Sequence, residues 1–160
     1  MEKAQIDIAH MSVASWGGEF YFQVVIEEHT RKFALSFFKL KSQSLPEWAI
    51  IYKRWLTEKP HAPLQQLVGG GEYVTKLFKK HADGNGYLLN IKSPNYDKAW
   101  KAERMIGLIR RWIMPTIDHA GASLSDWTYA AHHAEVVLND QHTASLPAGM
   151  SRNQAWELSR

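Results

Sequence analysis

Two stretches hold side chains whose types and spacing could act on a ligand. In the first, Arg31, Lys32, Lys39 and Lys41 flank Phe38. In the second, "KAWKAERMIGLIRRWIM", Lys101, Arg104 and Arg111 follow Trp100. Cations of this kind displace the counterions condensed on a phosphate backbone, and flat rings offer bases a surface to stack on. The pattern predicts nucleic-acid binding, with these seven cations on phosphates and Phe38 or Trp100 under bases. Lys76, Lys79, Lys80 and Arg110 add positive charge, whereas Glu27, Glu28, Glu47 and Glu58 dilute the field.

Other stretches carry weaker chemistry. "GGGEYVTK" has glycines ahead of a helix, but it lacks the GxxxxGK[ST] spacing of a phosphate loop and places Glu72 where an anion would sit. His119, His132, His133 and His142 lie near Asp118, Glu135 and Asp140 without HExxH or an i, i+4 histidine pair. "PTIDHAGASLSDWTYAAHH" could form a helix-turn-helix around Gly121, but Asp126, Thr128 and His132 would then face the bases and none is basic in the manner of Lys or Arg. "NIK", residues 90–92, has Asn where a metal-dependent nuclease needs a carboxylate ligand. No GxSxG appears. These motifs name no catalytic residue, metal or cofactor, and the expectation is a non-catalytic protein.

Composition sets outer limits. The 160 residues are 45% apolar and 22% charged, with a formal charge of +3, so the chain is mildly basic. There is no Cys, which excludes a disulfide scaffold and a thiol nucleophile. The first residues alternate apolar with polar and contain no long apolar run. These features predict a cytoplasmic protein with no membrane partner.

The elements that must position the cations follow from periodicity. Ile6 and Ile8 alternate with Gln5 and Asp7; Phe20, Phe22, Val24 and Ile26 alternate with Tyr21, Gln23, Val25 and Glu27; and Phe33, Leu35 and Phe37 oppose Ala34, Ser36 and Phe38. Three strands in a meander are expected, and "YLLNIK" reads as a fourth. Ser44 with Glu47 looks like a capping box for a helix bearing Trp48, Tyr52 and Trp55, closed by Pro60. "EYVTKLFKKH" reads as a shorter helix, ended by a turn at "ADGNG". Pro94 and Asp97 introduce a helix whose inner stripe is Ala102, Met105, Ile106, Ile109, Trp112 and Ile113, and which Pro115 ends. Ser123 with Asp126 and Ser151 with Gln154 cap two more.

The sequence therefore predicts an α+β fold. It has a mainly antiparallel sheet of three to four strands and four to five helices on one face. Residues 1–143 form the domain, and 144–160 form a C-terminal extension with a short helix. The expected partner is nucleic acid or an acidic protein. The alternative is a protein-interaction module (an inhibitor, adaptor or complex subunit), since Trp, Tyr and Arg dominate binding hot spots. Trp156 and Leu158 in the extension could then pair two copies.

Overall fold

The computed structural model describes residues 1–92 and 100–159. The expected helix starts at Pro94 and Asp97 lie outside these residues. The strands are β1 (Lys3–His10), β2 (Tyr21–Glu27), β3 (Phe33–Phe38), β4 (Gln66–Gly69) and β5 (Leu88–Ile91). The helices are α1 (Ser44–Glu58), α2 (Lys76–Asn85), α3 (Lys101–Ala120), α4 (Trp127–Asp140) and α5 (Arg152–Leu158).

The fold is α+β, but the sheet is mixed and has five strands in the order β3-β2-β1-β4-β5. β1, β2 and β3 form the expected antiparallel meander, with Ile6 opposite Val25 and Val24 opposite Leu35. β4 then runs parallel to β1, Ala4 beside Leu67, and β5 runs parallel to β4. The antiparallel description therefore fails on the β4 side. β4 itself, four residues long, is a strand beyond the four expected from periodicity.

The helices cover both faces of the sheet, not one. Phe22, Val24, Ile26, Phe33 and Leu35 pack under α3 and α4. On the reverse side Ala4, Ile6, Val25, Ala34 and Leu67 meet Trp48, Tyr52 and Trp55 of α1 and Phe78 of α2. The physical reason is visible in β2, where Phe22 through Glu27 are all buried. A strand apolar on both sides must be covered on both sides.

Local signals were used in several ways. Ser151 caps α5 as expected, accepting from the Gln154 backbone at 3.1 Å while Gln154 Oε1 accepts from the Ser151 backbone at 2.9 Å. Ser123 and Asp126 close a similar box before α4. Ser44 does not cap α1; its hydroxyl donates to Gln23 Oε1 at 2.6 Å, tying the helix to β2. Thr75 caps α2, its hydroxyl accepting from Phe78 N at 3.2 Å, and the helix continues through "ADGN" until Gly86 turns left-handed at φ 72°. Pro115 lies inside α3, which runs on to Ala120 and ends at Gly121, φ 61°. The segment considered for a first DNA-binding helix is thus the tail of α3.

Two long-range bonds fix the layers. Asn139 of α4 accepts from Phe33 N at 3.2 Å and donates to Phe33 O at 2.8 Å, satisfying both backbone groups of that β3 residue. α5 packs beside α4 and lays Trp156 against Trp55 of α1, ring centres 5.4 Å apart. No helix among the described residues is long and apolar enough to cross a membrane.

Candidate functional site

One concentration of positive charge starts at the β2–β3 turn. Glu27, buried, organises that turn: its carboxylate accepts from Thr30 N and Thr30 Oγ1, both at 2.7 Å, and from His29 N at 3.2 Å. The backbone closes with Arg31 N donating to Glu27 O at 3.0 Å, and Arg31 adopts φ 64°. This is the left-handed region, costly for a residue with a β-carbon.

The start of α3 comes next. Gln5 of β1 reaches up from the sheet, and its Oε1 accepts from Lys101 N at 2.7 Å and Ala102 N at 3.2 Å. A helix leaves its first N–H groups without internal partners, and here a strand side chain supplies the acceptor. Gln5 Nε2 donates to Glu28 at 2.5 Å, which links the helix start to the β2–β3 turn.

These two elements and α5 border an open cleft of about 280 Å³, lined by Arg31, Lys101, Arg104 and Arg152. Ile26, Met105 and Leu108 form its apolar wall. No acidic residue is among the described residues that line it. Glu28 approaches Lys101 at 3.9 Å but also pairs with Lys3 at 3.3 Å. Burial first, then the neighbouring Arg31 charge, lowers the proton affinity of Lys101, against the opposing pull of Glu28. Arg152 is lowered in the same order, by burial and then by Arg31. Its guanidinium also donates to Leu138 O.

Of the cations singled out in the sequence, Arg31, Lys101 and Arg104 therefore converge. Arg111 lies on the same side of α3, seven residues beyond Arg104 and about 10 Å along the axis. Lys32 turns the other way and donates to Asn153. Lys39 and Lys41 sit at the far end of β3, about 20 Å from the turn for a strand of six residues. There Lys39 runs alongside Gly18, and Lys41 stands 6.0 Å over the Tyr21 ring.

Neither expected stacking ring is on the surface. Trp100 is 1% exposed and Phe38 is 2% exposed, so no base can lie against either. Trp100 instead donates to Asp7 Oδ2 at 3.3 Å, and Phe38 stacks on Tyr21 at 5.9 Å. Arg152 is the member of the cleft that sequence reading missed. Its signal was the Ser151–Gln154 box, which fixes Arg152 as the first residue of a folded helix.

Trp156, considered for pairing two copies, is buried within its own chain, whereas Leu158 is exposed. The histidine region forms small local pairs. His132 approaches Glu135 at 3.4 Å, and His142 Nδ1 lies 2.6 Å from Gly149 O.

A second charged locus lies near the carboxyl ends of β1 and β4. Asp7 accepts from Ile8 N at 2.9 Å and from Trp100. Burial pushes its carboxyl up; those two bonds oppose the shift, and the charges of Glu72 and Glu103 add to it. Glu103 pairs with Lys92 at 3.2 Å. Among the described residues no three His, Asp or Glu side chains are grouped to hold a metal ion. The Asp7 shift has a stability consequence. A carboxyl raised on folding binds more protons in the folded state, so stability falls as pH rises from the ordinary Asp range, about 4, through the raised value. Asp7→Asn removes the charge but keeps only one accepting oxygen for the two donors, Ile8 N at Oδ1 and Trp100 Nε1 at Oδ2. Its stability relative to the natural chain is expected to rise between pH ~3.5 and pH 7, as denaturant melts of both proteins at the two pH values would measure.

No protein-family model matches the chain. No curated protein matches it either. Its fold is found among solved structures. One match is a chain of the cryoEM structure of simian T-cell lymphotropic virus intasome in complex with PP2A regulatory subunit B56 gamma, with a TM-score of 0.77 and 14% identity. The match covers 99% of the present chain and 55% of that one, so this chain spans about half the length of its neighbour. At that identity, the likeness is one of fold.

Proposed function

We propose that the chain is a non-catalytic binding module that engages nucleic acid through the β2–β3 turn and the outer side of α3. The observation that carries this reading is the convergence of Arg31, Lys101, Arg104 and Arg152 on one cleft, from three separate elements. Arg111 extends the line along α3. Such a row suits a chain of phosphates, each displacing counterions. Stacking on Trp100 and Phe38 has no part in the reading, because both rings are buried. A chain of a viral intasome in complex with a protein subunit shares this fold, at 14% identity.

The protein-partner alternative draws on a different surface. Trp16 is 72% exposed, and its loop meets the start of α4 through Trp16 N donating to Ser125 O at 3.1 Å, near exposed Leu124. The structure that holds the neighbouring chain is itself a complex between an intasome and a protein subunit.

One titration separates the two. Fluorescence anisotropy with labelled single strands and duplexes, from about 50 to 200 mM salt, should give linear log K against log salt. The slope should be about −3 on single strands if four phosphates are neutralised. Arg104→Ala with Arg111→Ala should make the slope shallower by about 1 to 2. Absence of binding at about 50 mM salt removes the nucleic-acid reading and leaves the Trp16 surface as the candidate.

A further inference from the structure

We infer that the cleft bounded by Arg31, Lys101, Arg104 and Arg152 seats the terminal phosphate monoester of a nucleic-acid strand. The inference rests on the nucleic-acid reading above and specifies where a strand would end.

Charge number favours a strand end over its middle. Arg31, Lys101 and Arg152 come from the β2–β3 turn, α3 and α5 and crowd into about 280 Å³. Burial, and after it the charge of Arg31, lowers the proton affinities of both Lys101 and Arg152, so Arg31 opposes each of them. An internal phosphodiester brings one negative charge. A terminal monoester brings about −1.5 to −2 at neutral pH, with three strong acceptor oxygens. It relieves more of the mutual repulsion and can be gripped by guanidinium forks on more than one side.

Backbone geometry agrees. Arg31 is the only non-glycine among the described residues with positive φ, at 64°. A strained conformation kept at a long cationic residue that faces a cleft points to a task for that side chain. The wall fits as well: Ile26, Met105 and Leu108 give the attached sugar an apolar surface beside the charges.

The test compares one labelled single strand in three forms, with a 5′-phosphate, with a 3′-phosphate and unphosphorylated, at fixed salt. One phosphorylated form should bind about tenfold tighter than the bare strand, as expected for added charge-assisted hydrogen bonds. Which form gains identifies the end recognised. The preference should disappear in Arg152→Gln and in Arg31→Asn, the second chosen because Asn tolerates left-handed backbone. Circular dichroism melts would show whether each variant is folded. Equal, salt-sensitive affinity for all three strands would overturn this inference and leave the nucleic-acid reading standing. A preference that survives both substitutions would also overturn it. No binding of any strand removes both.

Discussion

Trp156→Ala is expected to destabilise the protein by about 3 kcal/mol and to lower Tm by roughly 10 °C. Large-to-small aromatic changes in a core cost about 3–5 kcal/mol, and the lower end applies because this ring lies at the margin of the α1 layer. Three contacts are lost together. The indole leaves Trp55, its Nε1 no longer donates to Glu58 at 2.8 Å, and Lys59 loses the ring that its ammonium stands over at 5.7 Å. Trp156→Phe should recover most of the loss, since it restores the ring contact but not the Glu58 bond. Chemical denaturation followed by tryptophan fluorescence and far-UV circular dichroism measures both. A loss below about 0.5 kcal/mol, within the range of ordinary surface changes, would show that α5 is a detachable tail. The same substitution should weaken strand binding, because α5 carries Arg152 into the cleft.

Gln5→Met is expected to cost about 2–4 kcal/mol. Methionine has similar length and no acceptor oxygen. The Lys101 and Ala102 amides would lose the acceptor at 2.7 and 3.2 Å, and Glu28 would lose its donor at 2.5 Å. Gln5 is 1% exposed, so water cannot readily take its place. Each buried group left without a partner costs about 1–3 kcal/mol. Hydrogen exchange is the sharper readout: the amides of Lys101 and Ala102 should exchange much faster, while those of Ile109 and Ile113 hardly change. Unchanged protection at the helix start would refute the capping role. Arg104 sits one turn further on, so a frayed start would also misplace one side of the cleft.

Much of this fold was legible because much of it is local. The alternation in residues 20–38 marked two strands and their opposing faces, and Ser123 and Ser151 announced helix starts that the structure uses. What sequence could not reveal lies in contacts between distant residues. β4 has four residues, and it is a strand because Lys3 to Ile6 lie beside it. The cap of α3 lies 96 residues away in β1. Ser44 had the right neighbours for a capping box, but Gln23 took its hydroxyl. Trp100 looked like a stacking ring among cations, yet a tryptophan just before an amphipathic helix can turn beneath it, and this one reaches Asp7. The site was half readable for the same reason. Lys101, Arg104 and Arg111 share a helical side by spacing alone, whereas Arg31 and Arg152 join them only through the tertiary fold.

The pairing of Asn139 with Phe33 reaches beyond the two residues it joins. β3 is the outermost strand on its side of the sheet, and such a border offers free amides and carbonyls to any passing polypeptide. A carboxamide on α4 occupies that position by offering one acceptor and one donor, much as a further strand would. The border is thereby closed at its first residue from within the molecule, which guards against edge-to-edge self-association at high concentration.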